Sequence, residues 1–204
     1  MSERPPEPPS WAEVLVTLLS PARAGDSIAG DLLEEHAELV AARGARAAYW
    51  WYARQALGFA RQAALLPCVA LWLTLGIRTL IDILSPREDL ASRAAMTTYL
   101  GMSIYLLAGF RITYRTHKVV SAVLVAVLVT AIATVLQLAI AFLGILVIGS
   151  RLAADSVTVG ALREGTDVPV VAMLGIGLAA ASLGGASARL FVKRAPGSRW
   201  SMRI

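Results

Sequence analysis

The densest set of side chains able to do chemistry is Asp31, Glu34, Glu35, His36 and Glu38, inside the stretch GDLLEEHAEL. Carboxylates and an imidazole this close together could hold a metal or pass protons. The spacing favours neither. There is no H-E-x-x-H and no repeated E-x-x-H, and the only other histidine is His117. A transition-metal site needs more convergent nitrogen or sulfur donors. No metal or cofactor is expected, and the run reads as the solvated acidic face of a helix, with Asp31, Glu34, Glu35 and Glu38 as a docking face.

Arg78 and Asp82, spaced i, i+4, lie near the end of a long apolar run. Ionisable groups in such a place are functional candidates, although they can also pair and reach the interface together. Gln137, Thr130 and Thr134 are the main polar groups of another apolar run. They suit interhelical hydrogen bonds or the lining of a polar path. Nowhere does a nucleophile, base and orienting group fall into one set. G-x-x-x-x-G-K-[ST] is absent, so the chain is not an ATPase of that type by itself. Gly175, Gly177 and Ala180 match G-x-G-x-x-A, but no strand precedes them. An enzyme is not expected.

These residues are set in a greasy frame. Of 204 residues, 57% are hydrophobic and only 16% charged, against about 25% charged in a soluble domain. Eight of the 14 acids precede residue 62, whereas 13 of the 19 bases follow it. A multi-pass membrane protein with a small polar N-terminal part explains both facts, and the net charge of +5 is explained by bases flanking the spans rather than by nucleic acid. Cys68, the single cysteine, permits no internal disulfide. The opening MSERPPEPPS is acidic and proline-rich, unlike a signal peptide.

Residues 1–9 read as a disordered lead. Ser10 and Glu13 match the S-x-x-E capping box at the start of a first helix. Trp11, Val14, Leu15, Leu18 and Leu19 follow on one apolar face. A second helix is expected from Asp26 or Ser27 to Arg43, with Gly44 beyond its end. A third starts at Ala45 and carries Arg46, Arg54 and Arg61 among Tyr49, Trp50, Trp51, Tyr52, Leu57 and Phe59. The acidic and the basic helix should pack antiparallel. The YWWY cluster could stack on a nucleic acid or sit at a membrane interface. Its distance from the first span favours core packing instead, with Trp11, Leu15, Leu32, Trp51 and Tyr52 in a three-helix domain over 10–61. No nucleic acid is expected as a partner.

Four spans are expected within 62–192, at about 62–84, 94–112, 119–149 and 168–190, followed by a basic tail over 193–204. The third apolar run, Val119 to Ser150, holds 32 uncharged residues. It is too long for an upright span, and the expectation is one tilted helix projecting near Gly144 to Ser150. Basic residues divide 11 to 4 between the two sides, which puts both termini in the cytoplasm. In the fourth span, Gly177, Ala181 and Gly185 recur every four residues. Such a smooth face lets another helix approach closely, within the bundle or in a homo-oligomer.

Three blocks point further. P-S-W-A-E-x-L-x-x-L-L at Pro9 to Leu19, G-D-L-x-E-E at Gly30 to Glu35 and W-Y-x-R-Q-x-L at Trp51 to Leu57 occur in that order. Together they resemble the permease prefix domain, the N-terminal module of macrolide-exporter-type ABC permeases of Acidobacteria and related bacteria. The resemblance covers about 9–62. His36 departs from it, in a place where the family often has an aromatic residue. It implies a helical cytosolic module attached to transport machinery. Such permeases carry large extracytoplasmic domains, for which the 142 residues after Gln62 leave no room. The expectation is an all-α accessory or regulatory protein of the bacterial inner membrane, with no catalytic activity. Its partners would be the lipid bilayer and either transporter subunits or a cytosolic protein. The alternative is a small oligomeric transporter or channel with Arg78, Asp82 and Gln137 along its path.

Overall fold

A computed structural model describes residues 6–84, 90–152 and 170–194. Among them are six α-helices and no strand: α1 Ser10–Leu19, α2 Gly25–Arg43, α3 Ala45–Leu84, α4 Leu90–Thr116, α5 Val119–Leu152 and α6 Val170–Arg194.

Helix α1 begins one residue earlier than its capping box requires. Pro9 is the N-cap, and its carbonyl accepts from Ala12 N at 2.9 Å and Glu13 N at 3.1 Å. The Glu13 N–H that Ser10 would have capped is therefore taken, and no side chain caps this end. Ser20 ends the helix in an extended conformation, which suits a residue before Pro21. The buried stripe is Ala12, Val16 and Leu19, with Leu15 beside it. It is turned by one residue from the stripe expected around Trp11, because small Ala12 lets α1 lie close and leaves the indole on the rim.

Gly44 makes the turn between α2 and α3. Its φ of +84° is open to glycine and strained for other residues. Its N–H bonds Val40 O at 3.0 Å and its carbonyl accepts from Ala48 N at 3.3 Å. His36 meets Tyr52, each eight residues from the glycine, so the two helices run antiparallel.

Helix α3 has 40 residues, about 60 Å at ~1.5 Å per residue. The expected boundary between polar domain and first span, at 61/62, falls inside it. Pro67 removes the N–H that would bond the Ala63 carbonyl, and the helix continues through it. Ala56, Ala60, Ala64 and Cys68 recur every four residues as its buried face. Ala60, Ala64 and Cys68 share a core with a stripe of α5 made of Ala122, Val125, Ala126, Val129 and Ala133. A second, smaller core holds Ala12, Val16, Tyr52 and Ala56. Leu15 and Phe59 pack against both cores, so the interior is continuous.

The third apolar run is a single helix of 34 residues. Among the described residues, three stretches are long and apolar enough to cross a membrane, Ala45–Arg78, Val119–Leu136 and Leu174–Val192. Helix α4 is not among them. Thr97, Thr98, Tyr99, Ser103 and Tyr105 dilute its apolar character.

Candidate functional site

The polar N-terminal helices separate their charges rather than pairing them. Asp31, Glu34, Glu35 and Glu38 are all exposed on α2. Arg46, Arg54 and Arg61 are exposed on α3 together with Trp50 and Leu57. None of these acids and arginines forms an ion pair among the described residues. The helices meet instead through apolar and aromatic side chains, with Ile28 and Leu32 of α2 against Tyr52 and Ala56. This geometry leaves an acidic surface on one side and a basic, aromatic one on the other.

His36 is a correction to the solvated acidic face. It is the one buried residue of α2, 4% exposed, and its ring meets that of Tyr52 edge-on at 5.7 Å and 89°. Burial holds its pKa below the ordinary 6.5, because the charged form loses water it cannot replace. Among the described residues, no group of three His, Cys, Asp or Glu side chains could hold a metal.

Of the expected core residues, Tyr52 is fully buried, and Leu15, Leu32 and Trp51 are half-buried. Trp11 is 42% exposed, and its Nε1 reaches the Tyr49 hydroxyl at 3.5 Å on the surface. Trp50 is 63% exposed. The YWWY cluster therefore divides between core and surface, as consecutive helical residues must.

The end of α1 is fastened to the turn between α4 and α5. Ser121 Oγ donates to Leu18 O at 2.6 Å, and Lys118 Nζ donates to Thr17 O at 3.0 Å. Ala22 N donates to Arg115 O at 3.1 Å. The first two bonds satisfy carbonyls that a helix C-terminus leaves without partners. No pattern in the sequence announces them, since the partners lie about a hundred residues apart.

Gly177, Ala181 and Gly185 face inward. A Cβ on Gly177 would lie 3.0 Å from the Tyr105 ring, and one on Gly185 would lie 2.8 Å from Thr113 Oγ1 and 3.2 Å from Ala122 Cβ. Ala181 presents its backbone to Gly109. Tyr105, Gly109 and Thr113 thus match Gly177, Ala181 and Gly185 in rising order, so α4 and α6 run parallel with their i, i+4 rows facing. Gly184, against the backbone of Leu106 and Phe110, completes the crossing. Tyr105 also reaches α5. Because Thr130 Oγ1 donates to Ala126 O at 2.9 Å, Tyr105 donates to Thr130 across 2.8 Å.

Arg78 lines a cavity between α3 and α4 together with Arg93. Asp82 lies on α3 and Gln137 on α5, and the expected polar path through their side chains lies outside the described residues. The span ends at 168–169 and the basic tail from 195 onward also lie outside the described residues.

By fold this is an all-helical bundle, and its three long apolar helices mark it as a membrane protein. Comparison with protein-family models, curated proteins and solved structures finds no match to the chain.

Proposed function

We propose that this chain is a non-catalytic accessory or regulatory protein of a bacterial inner membrane, associated with ABC-type transport. Its polar N-terminal helices would dock a transporter subunit or cytosolic partner through the acidic face of α2. The observation that carries this reading is that Asp31, Glu34, Glu35 and Glu38 are exposed and unpaired among the described residues, while the other side of α2 is packed on α3. A charged surface held on a rigid support steers and selects a complementary partner. The resemblance of 9–62 to the permease prefix domain supports transport machinery as the setting. The same reading has four spans, with α4 as the second, and both termini in the cytoplasm. The parallel course of α4 and α6 suits it, since second and fourth spans cross in one direction.

Pull-down from detergent-solubilised membranes, with wild-type chain and with Glu34→Lys/Glu35→Lys, tests the docking face. A transporter subunit should be recovered with the first and lost with the second. Recovery that ignores the charge reversal overturns docking through α2. Alkaline phosphatase fused after Arg115 should be inactive, and an active fusion overturns the orientation.

A further inference from the structure

The outer face of α3 carries a stripe that nothing among the described residues covers. Arg46, Trp50, Arg54, Leu57 and Arg61 recur every three or four residues, so they share one side of the helix. All five are exposed, Trp50 at 63% and Leu57 at 55%. The three arginines have no hydrogen bond or ion pair among the described residues. Large apolar side chains left in the open between bases mark an interaction surface. The stripe also has a direction. It runs about 22 Å along α3 at ~1.5 Å per residue, and the same helix is one of those able to cross a membrane. A bilayer surface would meet one end of the stripe and not its length. The partner that fits is acidic and elongated along the membrane normal.

The chain itself presents such a surface. Asp31, Glu34 and Glu38 are exposed on α2, on the side away from His36 and α3. Because α2 and α3 are antiparallel about Gly44, the two surfaces match level by level. Glu34 lies ten residues before the glycine and Arg54 ten after it. Glu38 and Trp50 are each six residues away, and Asp31 and Leu57 each thirteen. The contact of His36 with Tyr52, each eight residues away, fixes this register. Acids and bases therefore stand at equal heights on different sides of one molecule. They cannot meet within the chain, since the acids point away from α3. Copies inserted in a membrane in the same sense share one depth, so the stripe of one faces the acids of its neighbour without tilt or vertical shift. Ala37 and Ala41, exposed one turn beyond Glu34 and Glu38, leave space there for an indole. Surface ion pairs alone contribute little, but an exposed tryptophan is the usual anchor of an interface.

We propose that the α3 stripe docks α2 of a second copy, Arg54 against Glu34 and Trp50 beside Glu38, a contact that can repeat from copy to copy. It rests on the reading of α2 as a docking face and names the occupant in a membrane that holds this chain alone; a transporter subunit would compete for the same acids.

Förster transfer between full-length chains tests it, with donor and acceptor fluorescent proteins at the C-terminus, in liposomes at low protein-to-lipid ratio. Wild-type chains should associate, less so at high salt. Arg54→Glu and Glu34→Arg should each weaken association more than tenfold, because like charges then face each other. A mixture of the two variants should associate as the wild type does, since every contact then pairs opposite charges. Trp50→Ala should weaken association about tenfold or more. If a charge variant loses its helical circular dichroism, Trp50→Ala and the salt dependence carry the test. Single variants that associate like the wild type, or a mixture that stays apart, overturn the proposal. No transporter is present in this assay, so it can fail while the pull-down with Glu34→Lys/Glu35→Lys holds, and the reverse.

Discussion

Gly184→Ala adds one methyl group where α6 meets the backbone of α4. Elsewhere in the chain the same change should stabilise. Alanine is better than glycine in a helix interior by about 1 kcal/mol, and a Cβ on Gly58 meets nothing within 4 Å. At Gly184 the new atom would overlap Leu106 O and crowd the Leu106 carbonyl carbon and Phe110 N. These are main-chain atoms, so no rotamer change relieves the overlap and the helices must separate. Overpacking costs about 1–3 kcal/mol, and a rigid backbone neighbour puts this site at the upper end. The propensity gain of about 1 kcal/mol offsets part of that, for a net loss of about 2 kcal/mol. Gly109→Ala meets the Ala181 backbone from the other side and should cost a similar amount. The pair should cost less than the sum, because helices already parted for one methyl have room for the second. Circular dichroism melts in one detergent provide the assay: Gly58→Ala should melt above the wild type and Gly184→Ala below it. A Gly184→Ala variant that melts with the wild type or higher, while Gly58→Ala rises, would show that the two backbones do not meet there.

Three further outcomes are expected. His36 has its pKa lowered in the folded chain, so the unfolded chain takes up a proton first as pH falls through 6.5. Stability should then drop until the folded His36 also titrates, and His36→Phe, which keeps a ring against Tyr52, should flatten that acid limb in melts read against pH. Ser121→Ala removes the 2.6 Å bond to Leu18 O, which should cost about 1 kcal/mol and speed amide hydrogen exchange in α1 ahead of the rest of the chain. Tyr105→Phe removes the bond to Thr130 but leaves that hydroxyl on Ala126 O, so the loss should be about 0.6 kcal/mol, read as a small fall in the melting temperature.

What could be read from the sequence was what is local. The 3.6-residue period and the breakers Pro21 and Gly44 placed α1 and α2 to within a residue or two. Long uncharged runs placed α4, α5 and α6. Position on a helix face was less legible. Trp11 and Val14 fit the apolar stripe of α1 by type, yet the inward stripe is built on Ala12 and Val16, because the closeness of α3 selects for size as well as for apolarity. By residue type His36 groups with its acidic neighbours, but consecutive helical residues point about 100° apart and His36 is the one that faces Tyr52. Gly177, Ala181 and Gly185 were visible through their spacing. Gly109 and Gly184 were not, since a single glycine acquires meaning only when the opposing backbone is known. The bonds from Lys118 and Ser121 to α1 join distant segments and leave no local periodicity.

The way the polar helices are held bears on how docking could matter. A module on a tether would bind its partner and leave the bundle undisturbed. Here α3 runs without interruption from Ala45 to Leu84, so the surface that supports α2 is the same helix that carries the span-competent stretch. The end of α1 is fixed to the opposite part of the bundle through Ser121 and Lys118, and Leu15 and Phe59 belong to the edges of both cores. The polar helices and the bundle are thus joined by the unbroken α3, by the α1 hydrogen bonds and by Leu15 and Phe59. A partner bound at Glu34 and Glu35 would therefore load two structures together: the long α3 rod and, through α1, the α4–α5 turn. If docking biases any equilibrium in the bundle, the movement expected is of α3 relative to the α4–α5 turn, since those are the two points where force on the polar helices enters.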